Sequence, residues 1–117
     1  SAGTAVMLQY LRYLLALEER DEDDLSTGTL WIGAGAPAAW FAPGQSFAAR
    51  ELPTSLGTVS LRCHSTVTTV TYELVARPDP AAPPLPVEVF YFDADGRRRS
   101  RRALVSGCQT LQLPRRE

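Results

Sequence analysis

The chain has 117 residues, with 44% hydrophobic and 21% charged side chains, which is enough for one ordinary globular domain with one core. Its net charge of −1 gives no global pull toward nucleic acid or an anionic membrane. No run reaches the roughly 20 apolar residues of a membrane-spanning helix, and two cysteines are too few to build a disulfide scaffold.

The charge is placed unevenly. Glu18 to Asp24 holds six acids against Arg20, and Arg97 to Glu117 holds seven Arg against one acid. All twelve basic residues are Arg, a usage that fits a GC-rich, bacterial genome. The start, Ser1-Ala2-Gly3, has neither Met nor a signal pattern. It reads as a processed or engineered end, so the sequence is expected to be a fragment.

Residues 4–20 read as a helix. Val6, Tyr10, Tyr13 and Leu17 form one apolar row, Met7, Leu11 and Leu14 a second, and Leu8 and Leu15 a third. So wide an apolar arc predicts cover on two sides. Met7, Tyr10, Leu11, Tyr13 and Leu14 are therefore candidate interface residues, toward another domain or a second copy of the chain. The acids that follow oppose the helix dipole and end the helix near Arg20. The predicted division is a helix and acidic turn over 1–24 and a sandwich over 25–117.

Leu25 to Gly28 reads as a turn. A first strand follows over 29–33, then a short helical turn opened by Pro37. A second strand covers 46–52, with Phe47, Ala49 and Glu51 alternating against Ala48, Arg50 and Leu52. The third, 58–64, puts Val59, Leu61 and Cys63 on one face and Arg62 and His64 on the other. The fourth covers 68–76. Five prolines between Arg77 and Pro86 make a stiff extended loop. A fifth strand, 87–92, turns at Asp93-Ala94-Asp95-Gly96, a strong hairpin signal. A sixth covers 97–105 and a seventh 109–113, with 114–117 as a frayed tail. The predicted fold is mainly β, an antiparallel sandwich of about seven strands preceded by one N-terminal α-helix.

Candidate chemistry is sparse. His64 is the only histidine, and its neighbour Cys63 points to the opposite strand face. The acidic run lacks the ligand spacing of a calcium loop: from Asp21 the fifth and sixth positions are Leu25 and Ser26. Nothing in the acid spacing singles out a glycosidase carboxylate pair. No catalytic residue, metal site or cofactor is assigned. The arginines at 97–102 have no interleaved aromatics and read as the guard of an edge strand, so no nucleic-acid partner is expected. Cys63 and Cys108 are expected to be reduced. Trp31, Trp40, Phe90, Tyr91 and Phe92 are the candidate sugar-stacking residues, although aromatics more often fill cores. Trp40 in particular is expected to be largely buried.

The motifs Leu30 to Gly33, Pro37 to Trp40, Leu52 to Gly57, Val59-Ser60 and Val105 to Gly107 follow an apolar helix and an acidic turn. In this order they resemble the C-terminal β-sandwich appended to bacterial (α/α)6-barrel, six-hairpin glycosidase-like proteins. The resemblance implies a non-catalytic accessory domain of a larger carbohydrate-active protein. Its partner would be an upstream helical barrel that holds the catalytic acids. The alternative is a carbohydrate-binding module that uses surface aromatics. Aromatics exposed side by side favour the module, and buried Trp31 and Trp40 favour the accessory domain.

Overall fold

The computed structural model describes residues 15–77 and 79–116. Over these residues the chain forms β1 (Ala16–Arg20), β2 (Ser26–Ile32), a 3-10 turn (Ala38–Phe41), β3 (Ser46–Thr54), β4 (Gly57–Ser65), β5 (Thr69–Ala76), β6 (Leu85–Phe92), β7 (Arg98–Val105) and β8 (Gly107–Pro114). One four-stranded sheet has the order β1-β2-β6-β7 and the other β3-β4-β5-β8. The mainly β expectation holds at that level, and its details change in several places.

The expected helix is the first correction. Residues 4–14, with Met7, Tyr10, Leu11, Tyr13 and Leu14, lie outside the described residues. Where the helix was to continue, Ala16–Arg20 is a strand antiparallel to β2, with Ala16 opposite Ile32 and Leu17 opposite Trp31. Ala-Leu-Glu-Glu-Arg is good helix sequence, but propensity is a weak prior that tertiary pairing overrides. The acids then close a hairpin. The Asp21 carboxylate accepts the N–H groups of Asp23 at 2.9 Å and Leu25 at 3.0 Å, and Asp24 takes a φ of 61°, as side chains that mimic turns allow. The count becomes eight strands among the described residues.

The sandwich is also not wholly antiparallel. β2 runs parallel to β6, with Leu30, Ile32 and Trp31 beside Val87, Val89 and Glu88. After β2 the chain crosses at the 3-10 turn and builds β3, β4 and β5 in the second sheet. It returns through the proline-rich segment as β6. A strand that re-enters its sheet after such an excursion is free to run parallel, whereas a hairpin is not.

Between the sheets lie Leu30, Ile32, Phe41, Val70, Tyr72, Leu74, Val89 and Leu113, all fully buried. β3 reaches this core through a bulge. Its pairing with β4 steps between Ala49 and Leu52, where Glu51 has a φ of 55° and donates its N–H to the Ser60 hydroxyl at 2.8 Å. The extra residue shifts the alternation, so Leu52 joins Phe47 and Ala49 on the core side rather than opposing them. The expected frayed tail is likewise ordered through Arg116. Arg115 is buried, its N–H meets the Thr68 carbonyl at 2.9 Å, and its guanidinium donates to the carbonyls of Phe41 and Thr66.

Hydrogen bonds also join the two sheets, and one of them lies beside Gly33. Tyr72, on β5, donates its hydroxyl to the Phe90 carbonyl of β6 at 2.7 Å. It does so just past Ile32↔Val89, where the β2–β6 ladder ends. There β2 leaves the sheet at Gly33, which has a φ of 74°. A Cβ at this position would overlap the Tyr72 hydroxyl and come within 3.2 Å of the Phe90 carbonyl oxygen. Both the backbone angle and the space therefore require glycine. Gly33→Ala should lower stability by more than about 1 kcal/mol, the scale set by an alanine forced to positive φ. A denaturant melt with an unchanged midpoint would contradict this.

Candidate functional site

Strand alternation places Trp31, Glu88, Phe90, Ser100 and Arg102 on the solvent side of the first sheet, opposite its core-facing Ile32, Val89 and Tyr91. Register then brings them together. Leu17, Trp31, Glu88 and Arg102 form one row across all four strands. The Trp31 indole N–H donates to Glu19 at 3.2 Å, and its ring meets Phe90 edge to face with centroids 5.5 Å apart. The Arg98 guanidinium lies 4.4 Å from the Phe90 ring centroid and donates to the Ala34 carbonyl at 3.0 Å. Arg102 reaches both Glu19 and Glu88 at 3.3 Å, and the Ser100 hydroxyl donates to Glu88 at 2.7 Å. The strip therefore joins two aromatic rings to two carboxylates, two guanidinium groups and a hydroxyl.

The five candidate stacking residues do not form one platform. Trp31 and Phe90 meet on the strip. Tyr91 points into the core, and its hydroxyl donates to the Pro114 carbonyl at 3.3 Å. Phe92 packs on Phe41 with centroids 5.8 Å apart. Trp40 is partly buried, packed against the core beside Phe47 at 5.3 Å. The short 3-10 turn carries Phe41, not Trp40, into the core.

The partners of Trp31 and Phe90 went unrecognised in the sequence. Alternation alone puts Glu88 with Phe90, and Arg98 with Ser100 and Arg102. Which strands lie side by side is set by the crossover, and local pattern carries no record of it. The arginine-rich strand is an edge, as expected. Its side chains nevertheless divide by position: Arg98 and Arg102 to the strip, Arg99 to Asp93, and Arg101 to the Gln112 carbonyl at 3.2 Å.

The remaining polar groups are scattered. His64 is exposed, with Nδ1 2.7 Å from the Ser46 hydroxyl. Asp93 is buried in the β6–β7 turn, where its carboxylate meets Arg99 Nε at 2.6 Å and the N–H groups of Asp95 and Arg97 at 2.9 Å. The Arg99 hydrogen bond first, and then the Arg97 N–H, hold this carboxyl below its ordinary value. Its contribution to stability is thus full above the ordinary carboxylate range and is lost as pH falls through the lowered pKa. Among the described residues no group of three or more His, Cys, Asp or Glu is placed to hold a metal ion. No helix among them is long and apolar enough to cross a membrane. A shallow depression of about 410 Å3 lies on the open face of the second sheet, over Ala48, Ser60, Arg62, Glu73 and Cys108.

Compared with protein-family models, curated proteins and solved structures, the chain matches none. The resemblance to six-hairpin glycosidase-like proteins therefore rests on the quoted motifs alone.

Both cysteines are free thiols on opposite faces of the second sheet, Cys63 buried and Cys108 exposed. Burial pushes the Cys63 thiol up to about 12. Only a thiolate reacts readily. A chromogenic disulfide reagent at neutral pH should therefore modify one thiol in the native chain and two after denaturation. Two fast native thiols, or none after denaturation, would contradict the assignment.

Proposed function

We propose that this chain is a non-catalytic β-sandwich accessory domain of a larger carbohydrate-active protein, seated on its neighbour through the open face of the β1-β2-β6-β7 sheet. The observation that supports the reading is the pre-set strip around Trp31. Trp and Arg are the side chains that dominate protein interfaces. Here their polar ends already have partners: the indole N–H is on Glu19, and Arg102 is shared by Glu19 and Glu88. Such a face offers a flat aromatic surface and loses little side-chain freedom on docking. Beside it lies a depression of about 300 Å3 lined by Thr29, Pro86, Ala103 and Leu104. Leu104 is 61% exposed there, an apolar anchor at the edge of the same face. The carbohydrate-active parent comes from the motif resemblance, which implies a helical barrel as the neighbour.

Sugar binding is the second reading, and the half-exposed Trp31 ring supports it. It is weaker because the Arg98 guanidinium occupies a face of Phe90, which leaves Trp31 as the lone stacking ring.

The test begins with the gene. Its reading frame should continue upstream into an all-helical domain. That domain, produced separately, should copurify with the chain and be lost on Trp31→Ala or Arg102→Glu. A frame without such a domain, or copurification indifferent to both substitutions, would contradict the proposal. A quench of Trp31 fluorescence by soluble polysaccharides would favour the second reading.

A further inference from the structure

Among the described residues each sheet ends in two strands with an unpaired edge, and an unpaired edge invites another strand. β1 and β7 end one sheet, β3 and β8 the other. Three of the four carry deterrents. β1 is five residues long, has a register shift and carries Glu18, Glu19 and Arg20. β7 carries Arg98, Arg99, Arg101 and Arg102. β3 is bulged and holds Arg50, Glu51 and Pro53. β8 differs from all of them. It pairs with β5 over eight residues without a shift, and Gly107 to Leu113 contains no charged residue and no proline.

The backbone parity of β8 follows from three contacts. The Arg115 N–H points at β5, where it meets the Thr68 carbonyl. Odd-numbered residues therefore face β5 and even-numbered ones face outward. In agreement, the Gln112 carbonyl accepts Arg101 at 3.2 Å and the Pro114 carbonyl accepts Tyr91 at 3.3 Å, both from the first sheet. Side chains thus close the far half of the edge. The near half, with the outward N–H and C=O groups of Cys108 and Thr110, meets no hydrogen-bonding group among the described residues. Both residues are exposed.

We propose that this open half of β8 is a self-association edge, on which a second copy of the chain adds its own β8 antiparallel. The register sets Cys108 opposite Thr110 of the second copy and Gln109 opposite its own counterpart. It forms four backbone hydrogen bonds and leaves the Arg101 and Tyr91 contacts in place. A two-fold arrangement puts the same segment on both sides. Cys-Gln-Thr-Leu suits this, because no like charges meet and no large side chain must be accommodated. Val75 pairs with Cys108 in the sheet and is 44% exposed, so it gains apolar cover at the junction. A strand of different sequence would find nothing here to select it, because this edge presents neither charge nor a deep pocket. The result is one continuous eight-stranded sheet across two copies.

Sedimentation of the chain should show a dimer. Thr110→Pro removes an N–H aimed at solvent and none aimed at β5, a position where an edge strand tolerates proline. This variant should keep the β-sheet circular dichroism of the parent and sediment as a monomer. In a Cys108→Ser background, Gln109→Cys should form a cross-linked dimer under mild oxidation, because residues opposite each other at a non-hydrogen-bonded position bring their Cβ atoms to about 4.5–5.5 Å. If Thr110→Pro fails to fold, the cross-link decides. A monomer at the highest concentration reached overturns the proposal. A dimer that persists in Thr110→Pro and gives no Gln109→Cys cross-link also overturns it, by placing the contact elsewhere.

Discussion

Tyr72 rises from the middle of one sheet and ends on a backbone carbonyl of the other, in the space that Gly33 leaves open. Sandwich sheets are otherwise held by non-directional apolar contact, which sets their spacing but tolerates sliding. A buried hydroxyl on a buried carbonyl is directional and is costly to leave unmade. It fixes β5 against β6 at the point where β2 departs and the ladder has no further residue to offer. Burial, followed by the nearby Cys63, pushes the phenol upward, which favours its protonated, donating form. The same residue packs against Phe47 at 6.2 Å, which links the pin to the aromatic cluster around Phe41.

The surface strip depends on this pin. Phe90 supplies the carbonyl inside and the ring outside, so the contact that locks the sheets also sets the ring beneath Arg98 and beside Trp31. The ion pairs around the strip are largely solvated on the arginine side; Arg102 is 66% exposed. Such pairs add little to stability. Their role is orientation: Glu19 and Glu88 hold Arg102 flat across the sheet, and Glu19 holds the indole edge. A docking face gains most when its large side chains are ordered before the partner arrives.

Strand positions from β3 onward are legible in the sequence because alternation and turn residues agree there. Val59, Leu61 and Cys63 alternate into the core as their pattern says, and Asp93 to Gly96 makes its hairpin. Three features are not legible, each for a physical reason. Ala16–Arg20 carries helix propensity, and only the pairing with β2 overrides it. Arg50 and Glu51 form a bulge that shifts the phase of a strand whose pattern reads as regular. Glu19, Glu88 and Arg102 come together through a parallel register between strands more than fifty residues apart, which no local period encodes. In the 3-10 turn Phe41 is the fully buried residue, with Trp40 packed partly buried beside it.

The central claim is that the Tyr72 hydroxyl ties β5 to β6 and, through Phe90, to the surface strip. Tyr72→Phe tests it most directly, because it removes one oxygen and leaves the ring in place. The account predicts a loss of about 1–3 kcal/mol in a denaturant melt, the scale of a buried acceptor left without its donor. It also predicts that Tyr72→Phe relieves part of the clash caused by Gly33→Ala, so the double variant is more stable than the sum of the two losses. A Tyr72→Phe melt that overlays the parent, together with strictly additive losses in the double variant, would contradict it.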